Sequence, residues 1–467
     1  MTIKINKIQI KLTALTLFFP AVLFMFSGCG KETYSEARIA QELVDICRKE
    51  YKIEGVQVKA VGTTIGVYLP LKNLFSTNFK EVLAASKLKN LESLLQPSQE
   101  ALDKVEDVLF TTSRVVLSTD KKVDFYVLQA TDTETGLQLV LTGYVDDIKR
   151  VRLWDIPRSE YRKRVFHDLK IDRTAVWVKA VRKVLEAISK KPVDSILADS
   201  FVRGISDDAV SSFFYTSMLD GEHKKNITYD FQDVKSQVTQ EGEGLLYLKL
   251  KENYESIRPN DSYPFLYPSG TTLEYIFTLR SSSASSQYRI AQVIPFYYLD
   301  DHKMLKRAQP KSEGELNEWQ PLFDVEEVKL GDFLAGQSTR RIEGLLVTDE
   351  RIFNTFSGVK VNVRYQSTEK SKKPFFALDF SLEPKDPSLH LAETNWLEQE
   401  DVTYLLDIVL REFVTVLRGY HFEDFSYFEI ANTVSPSAAM LEKSSLELFR
   451  KGKITISGLL HPSIPAL

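Results

Sequence analysis

Gly55-Val56-Gln57-Val58-Lys59-Ala60 and Gly358-Val359-Lys360-Val361-Asn362-Val363 each follow a helical pattern and open an alternating one. A change of apolar period from 3.6 to 2 marks the passage from a helix into a half-buried strand. A second pair of matches lies downstream. Val116-Leu117 precedes Asp124-Phe125, and Val416-Leu417 precedes Asp424-Phe425 at the same spacing. Both pairs end a helix and enter a strand. The offset is about 300 residues in both cases, and the order of elements agrees. Residues 36–191 and 329–460 are therefore expected to be related helix–strand–strand modules, each laying helices on one face of a small antiparallel sheet. Generic helix-to-strand grammar would give the same short matches; superposing the two ends decides between these origins, and different strand orders would sink the duplication.

Outward from these stretches, Ile39, Leu43, Ile46 and Cys47 recur at helical spacing before strands over 56–61 and 65–71, with Gly62-Thr63-Thr64 as the turn. A helical stretch over about 80–117 is broken near Pro97, and Ser98, Glu100 and Asp103 suit the start of its second part. A hairpin over 123–129 and 137–144 turns at Asp132-Thr133-Glu134-Thr135-Gly136, and helical segments continue to Lys191. After one or two short helices, strands over 228–238, 244–250, 272–280 and 289–299 make an antiparallel meander. Residues 300–320 are charged, contain Pro310 and read as a linker. The last third predicts a helix over 330–347, strands over 359–365 and 375–382 and a helix over 399–417. A strand over 425–431, a helix over 437–449 and a strand over 454–459 finish it. The fold class is α+β. The expected divisions are a signal segment over 1–28, an anchor and tether over 29–35 and an α+β domain over 36–191. A β-rich domain over 193–301, a linker over 302–328 and a second α+β domain over 329–467 follow.

The amino terminus has a separate logic. Lys4, Lys7 and Lys11 precede an apolar run over 12–26, which closes on Ser27-Gly28-Cys29. A basic start, a short apolar run and small residues make a secretory signal, and the run is short for a membrane span. The arrangement resembles the lipobox of bacterial lipoproteins. Phe26 stands where that family usually has Leu, three positions before the cysteine. The resemblance implies acylation of the Cys29 thiol, cleavage between Gly28 and Cys29 and a membrane anchor of two or three acyl chains. Each buried CH₂ of those chains contributes about 0.8 kcal/mol. Gly30, rather than Asp, follows the cysteine, which within that resemblance favours the outer membrane of a Gram-negative envelope. The resemblance covers the first thirty residues and implies nothing about the fold that follows.

The 467 residues suffice for two or three domains, and a net charge of −4 gives no global polybasic surface for nucleic acid. Cys29 and Cys47 are the two cysteines. If Cys29 is acylated, Cys47 has no partner, so no disulfide framework forms within the chain, and Cys47 reads as a small buried hydrophobe.

Little in the remaining sequence carries chemistry. His167, His223, His302, His390, His421 and His461 show no metal-ligand spacing, and no metal or cofactor is expected. Gly331-Asp332-Phe333-Leu334-Ala335-Gly336 has the glycine spacing of a phosphate loop. However, Gln337 replaces the required Lys and the stretch reads as helix. Asp132 and Glu134 read as turn residues rather than calcium ligands, and Asp300-Asp301 as a solvated pair. The strongest charge feature runs from Lys149 to Lys191, with fourteen basic residues against five acids and with Trp154, Tyr161 and Trp177 interleaved. Arg150, Arg152, Arg158, Arg162, Lys163 and Arg164 are its candidate surface for an anionic lipid, an envelope polymer or an acidic protein, and solvated helix faces are its plainer reading. The sequence thus predicts a lipid-anchored envelope protein with a non-enzymatic binding or assembly role. The alternatives are an anchored hydrolase of envelope polymer and a solute-binding lipoprotein.

Overall fold

The computed structural model describes residues 34–75, 97–188, 190–202, 224–256, 268–281, 288–299, 305–307, 315–367, 373–386, 391, 396–433 and 438–460. Contacts divide the chain into two units, one running to Pro157 and again over His167–Glu326, the other combining Arg158–Phe166 with Glu327 onward. The β-rich middle therefore shares a unit with the first module. One short helix from the basic segment belongs to the second unit.

The first unit opens with α1 (Ile39–Tyr51), whose stripe of Ile39, Leu43, Ile46 and Cys47 is buried as its helical spacing requires. Strands β1 (Gln57–Val61) and β2 (Thr64–Leu71) follow, paired antiparallel across a two-residue turn in which Gly62 takes φ 54°. Helix α2 (Gln99–Val116) starts where the Ser98 side chain accepts a hydrogen bond from the Ala101 amide at 3.2 Å. It packs on α1 and leads to β3 (Phe125–Asp132), which lies parallel to β2. Then β4 (Leu137–Tyr144) returns antiparallel and α3 (Val145–Arg152) begins at the next residue. Seven of the eight β2 residues are buried, because helices cover one face while Phe323 and Val325 press on the other at Gly66.

After α4 (Arg158–Arg164), which belongs to the second unit, β5 (Phe166–Ile171) borders β4 and completes a sheet in the order β1-β2-β3-β4-β5. Helices α5 (Thr174–Ile188) and α6 (Val193–Ser200) come next. The meander is β6 (Lys224–Val238), β7 (Gly244–Ser256), β8 (Thr271–Ser281) and β9 (Tyr288–Pro295), all antiparallel neighbours. Leu246, Leu248 and Leu250 alternate inward and meet Trp177, Val181, Val184 and Leu185 of α5 in one core. Tyr247 faces away and packs with Phe296, Leu316 and Trp319. Strands β10 (Tyr297–Leu299) and β11 (Leu305–Arg307) pair with each other, and β12 (Gln320–Pro321) flanks β6.

The second unit repeats the first module. Helix α7 (Leu330–Thr348), with the short α8 (Glu350–Thr355), precedes β13 (Phe356–Gln366) and β14 (Phe375–Pro384), an antiparallel pair. Helix α9 (Glu400–Gly419) crosses to β15 (Tyr427–Asn432), parallel to β14, and β16 (Ala438–Glu442) returns antiparallel. Helix α10 (Lys443–Arg450) begins at the next residue, and α11 (Ile456–Leu460) follows. The order β13-β14-β15-β16, with one parallel pair between two antiparallel ones, is the order and polarity of β1-β2-β3-β4. The duplication thus passes the strand-order test. Phe413 of α9 lies over the sheet, with ring centroids 5.1 Å from Phe376 and 4.2 Å from Phe428.

The α+β class holds, and the two end sheets differ from expectation in being mixed rather than wholly antiparallel. Three local readings are corrected. Residues 166–171 form β5, not helix. The start of the expected helix over 437–449 forms β16, because pairing with β15 overrides the helix preference of Ala438-Ala439-Met440-Leu441. Residues 456–460 form α11 rather than a strand, although Ile454-Thr455-Ile456 is β-branched. The expected helix over 80–96 lies outside the described residues.

Two outcomes follow. Phe413→Ala removes the ring between Phe376 and Phe428, and guanidinium unfolding should show a loss of about 3–5 kcal/mol. Burial pushes the Cys47 thiol up to about 11, so a thiol reagent should leave the native protein unlabelled at Cys47 and label it after unfolding.

Candidate functional site

A cleft of about 600 Å³ lies where α5 begins, lined by Ile171, Asp172, Arg173, Thr174 and Trp177, by Ser236, Gln237 and Val238 of β6, and by Glu318 and Gln320. Local chemistry fixes its floor. The Asp172 carboxylate accepts from the Thr174 amide at 2.8 Å and from Gln138 Nε2 at 2.9 Å, so it holds the start of α5 and is not free to act on a ligand. Thr174 Oγ1 and Ser236 Oγ, both buried, bond each other at 2.6 Å. Trp177 lies under Gly244, where a Cβ would come within 2.5 Å of the indole; β7 needs glycine at that point for the ring to fit. The Trp177 ring meets Tyr288 edge-on at 5.9 Å, and its buried Nε1 has no hydrogen-bond partner among the described residues. The cleft therefore presents an exposed guanidinium and carboxylate from Arg173 and Glu318 at its rim, over a buried pair of hydroxyls that bond each other. Neither hydroxyl is bonded to a general base, as an activated nucleophile would be. The arrangement can bind a small polar molecule.

A second concavity, of about 510 Å³, lies in the other unit around Asp349, Arg351 and Tyr404. Its groups satisfy one another. Arg351 Nε and Nη2 donate to Asp401 Oδ1 at 2.9 and 2.7 Å, Nη2 also reaches Glu400 at 2.9 Å, and the guanidinium lies 4.6 Å from the Tyr404 ring centroid. Tyr404 donates to Asp349 Oδ2 at 3.0 Å, and that carboxylate raises the phenol above its usual range. Asp349 Oδ1 accepts the Ile352 amide at 3.0 Å. This network ties α8 to α9.

The six basic candidates do not share one environment. Arg150 and Arg152 lie in the first unit; Arg158, Arg162, Lys163 and Arg164 lie in the second. Arg150 is half-buried, bridging Asp155 at 2.6 Å and Asp147 at 3.6 Å. Arg164 is buried: Nε donates to Glu160 at 3.0 Å, Nη1 to the Gly419 carbonyl at 3.2 Å, and the guanidinium lies 4.9 Å from the Tyr420 centroid. Gln337, which occupies the phosphate-loop lysine position, donates from Nε2 to the Arg164 carbonyl at 2.6 Å, and residues 331–336 lie within helix α7. Arg152, Arg158, Arg162 and Lys163 are exposed.

Other sequence candidates are equally resolved in place. Asp132 Oδ1 accepts the Glu134 and Thr135 amides at 2.7 and 3.2 Å and Oδ2 accepts Leu74 N at 3.0 Å, which makes the carboxylate a turn former. Asp300, Asp301, Gly28, Cys29, His223, His302, His390 and His461 lie outside the described residues. Among the described residues there is no cluster of metal-ligating side chains, and no helix is long and apolar enough to cross a membrane. Sequence reading passed over the cleft. Trp177 drew notice only as an aromatic within the basic segment, and no local signal joins it to Ser236 or Gly244, which β-pairing brings from far along the chain. Compared with family models, with curated proteins and with solved structures, the chain matches none.

Arg164→Ala should strip a buried network and cost about 3 kcal/mol in chemical unfolding. Arg152→Ala, at an exposed position, should stay within about 0.5 kcal/mol of the parent.

Proposed function

We propose that this chain is a lipid-anchored protein of a bacterial envelope, held through Cys29, whose body has a binding or assembly role rather than a catalytic one. The observation that carries the reading is the sequence from Lys4 to Cys29: basic start, short apolar run, then Ser27-Gly28 before the cysteine. Tyr34, five residues beyond Cys29, is fixed by the hydrogen bond from its amide to the Ser118 carbonyl, so an anchor at Cys29 would hold that point within roughly 17 Å of the membrane. Gly30 favours the outer membrane in a Gram-negative cell.

The non-catalytic part of the proposal is supported by the cleft at the start of α5. Its carboxylate is spent on a helix start and its hydroxyls on each other. Solute binding is the second reading, favoured by the concavity itself and by Arg173 and Glu318 at its rim. An envelope protein or an anionic polymer remains the partner class for the exposed cations Arg158, Arg162 and Lys163 of the second unit.

Intact mass of the membrane-extracted protein, measured beside Cys29→Ala, tests the anchor. Loss of residues 1–28 with added acyl mass, both absent from the variant, is the expected result. An unmodified or uncleaved parent would remove the anchor from the proposal.

A further inference from the structure

Trp154 combines three features that ordinary packing does not bring together. It is 93% exposed, its neighbour Leu153 is 78% exposed, and its φ is 62°, a left-handed conformation that bulky residues rarely adopt. The chain holds it there firmly. Trp154 N donates to the Val151 carbonyl at 3.2 Å and Asp155 N to the Arg150 carbonyl at 2.8 Å, closing the end of α3. The Arg150–Asp155 ion pair at 2.6 Å and the buried Ile156 fix the far side of the turn.

The second module supplies an internal comparison. Helix α10 ends with the same bonds, Gly452 N to the Phe449 carbonyl at 2.9 Å and Lys453 N to the Leu448 carbonyl at 3.0 Å. Its left-handed residue is Gly452, at φ 66°. Glycine is what this turn ordinarily takes. The first module places a solvent-facing indole at the matching position.

The location bears on what covers it. The chain enters the first unit at Tyr34, whose amide donates to the Ser118 carbonyl at 3.2 Å while Glu36 pairs with Lys121 at 2.7 Å. Lys121 leads within four residues into β3, and Val145 N, opening α3, donates to the Asp124 carbonyl at 2.8 Å. Tyr34 and the start of the helix that carries Trp154 thus lie at the same end of the same sheet. Around the tip, Lys149, Arg150 and Arg152 are matched by Asp146, Asp147 and Asp155, and Arg152 makes no ion pair among the described residues. A nearly neutral tip with an indole, a leucine and one free guanidinium fits the interfacial layer of a bilayer, where Trp and Arg settle with apolar parts inward and polar parts among headgroups.

We propose that Leu153 and Trp154 form a membrane-docking tip that inserts between lipid headgroups and, together with the Cys29 lipid, sets the body's orientation on the membrane. This rests on the anchored reading above. Insertion of the apolar pair, rather than charge, drives it, so zwitterionic and anionic bilayers both serve.

The test uses the full chain reconstituted into phosphatidylcholine vesicles, with and without phosphatidylglycerol, carrying acyl chains brominated near the headgroup. Trp177, Trp319 and Trp396 are buried, so Trp154 is the exposed one of the four tryptophans. Brominated lipid should remove the part of the emission that Trp154 supplies, and Trp154→Phe should abolish that loss while the protein still floats with the vesicles. Trp154→Gly, which copies the second module, should keep or raise the unfolding midpoint and also lose the quenching. Flotation reads the anchor and quenching reads the tip. A protein that floats but is not quenched overturns the tip and leaves the anchor. One that is quenched without acyl mass overturns the anchor and leaves the tip; one that neither floats nor is quenched overturns both. Shielding of Trp154 from acrylamide by envelope proteins, without quenching by brominated lipid, overturns the tip in favour of a protein contact.

Discussion

Two parallel strands lying side by side cannot be joined by a tight turn, because the chain must travel back along the whole strand before it can start again in the same direction. That requirement organises both ends of this molecule. Strands β2 and β3 are parallel neighbours, as are β14 and β15, and in each case a helix of about twenty residues makes the return. The returning helix packs on the helix that opened the module, α2 on α1 and α9 on α7, so one strand connection also creates the helical layer. Hairpins on either side then add β1 and β4, or β13 and β16, at little cost in chain length. The middle sheet carries no such constraint. Its strands follow one another as antiparallel hairpins, and α5 and α6 cover one of its faces.

The class of fold was legible because each long element has a strong period. Ile39, Leu43, Ile46 and Cys47 could only be one helical face, and Leu246, Leu248 and Leu250 one strand face. The repeat was legible at two points where a helix gives way to a strand. What stayed hidden was decided by contacts distant in sequence. Parallel and antiparallel pairing leave the same alternation, so the mixed character of the end sheets had no local mark. Residues 438–442 prefer a helix when alone and become a strand because β15 presents an unpaired edge to them.

The same division runs through the candidate sites. Composition found the basic segment, since charge can be counted along a chain. Whether a given arginine faces water cannot be counted in that way. Arg164 and Arg150 sit among exposed neighbours in sequence, yet one is buried against Tyr420 and the other clamps a turn between Asp147 and Asp155. The cleft beside Trp177 depends on strands that lie some sixty residues away and on a glycine that admits the indole. No motif encodes such a site, because each residue in it is ordinary where it stands.

Helix α4 shows what this chain's threading implies for its synthesis and dissection. It leaves the first unit after Pro157, gives one helix to the second and comes back at His167. The partners of that helix, Gln337, Arg341 and Gly419, are made much later. At roughly 5–20 residues per second, α4 waits on the order of ten seconds or more for them. No single cut can release either unit whole. A fragment ending before Glu327 carries a buried-type arginine with nothing to receive it, and one beginning there lacks the helix that fills its place. The boundary between the two units is a property of contacts, and the molecule is made and folded as one piece.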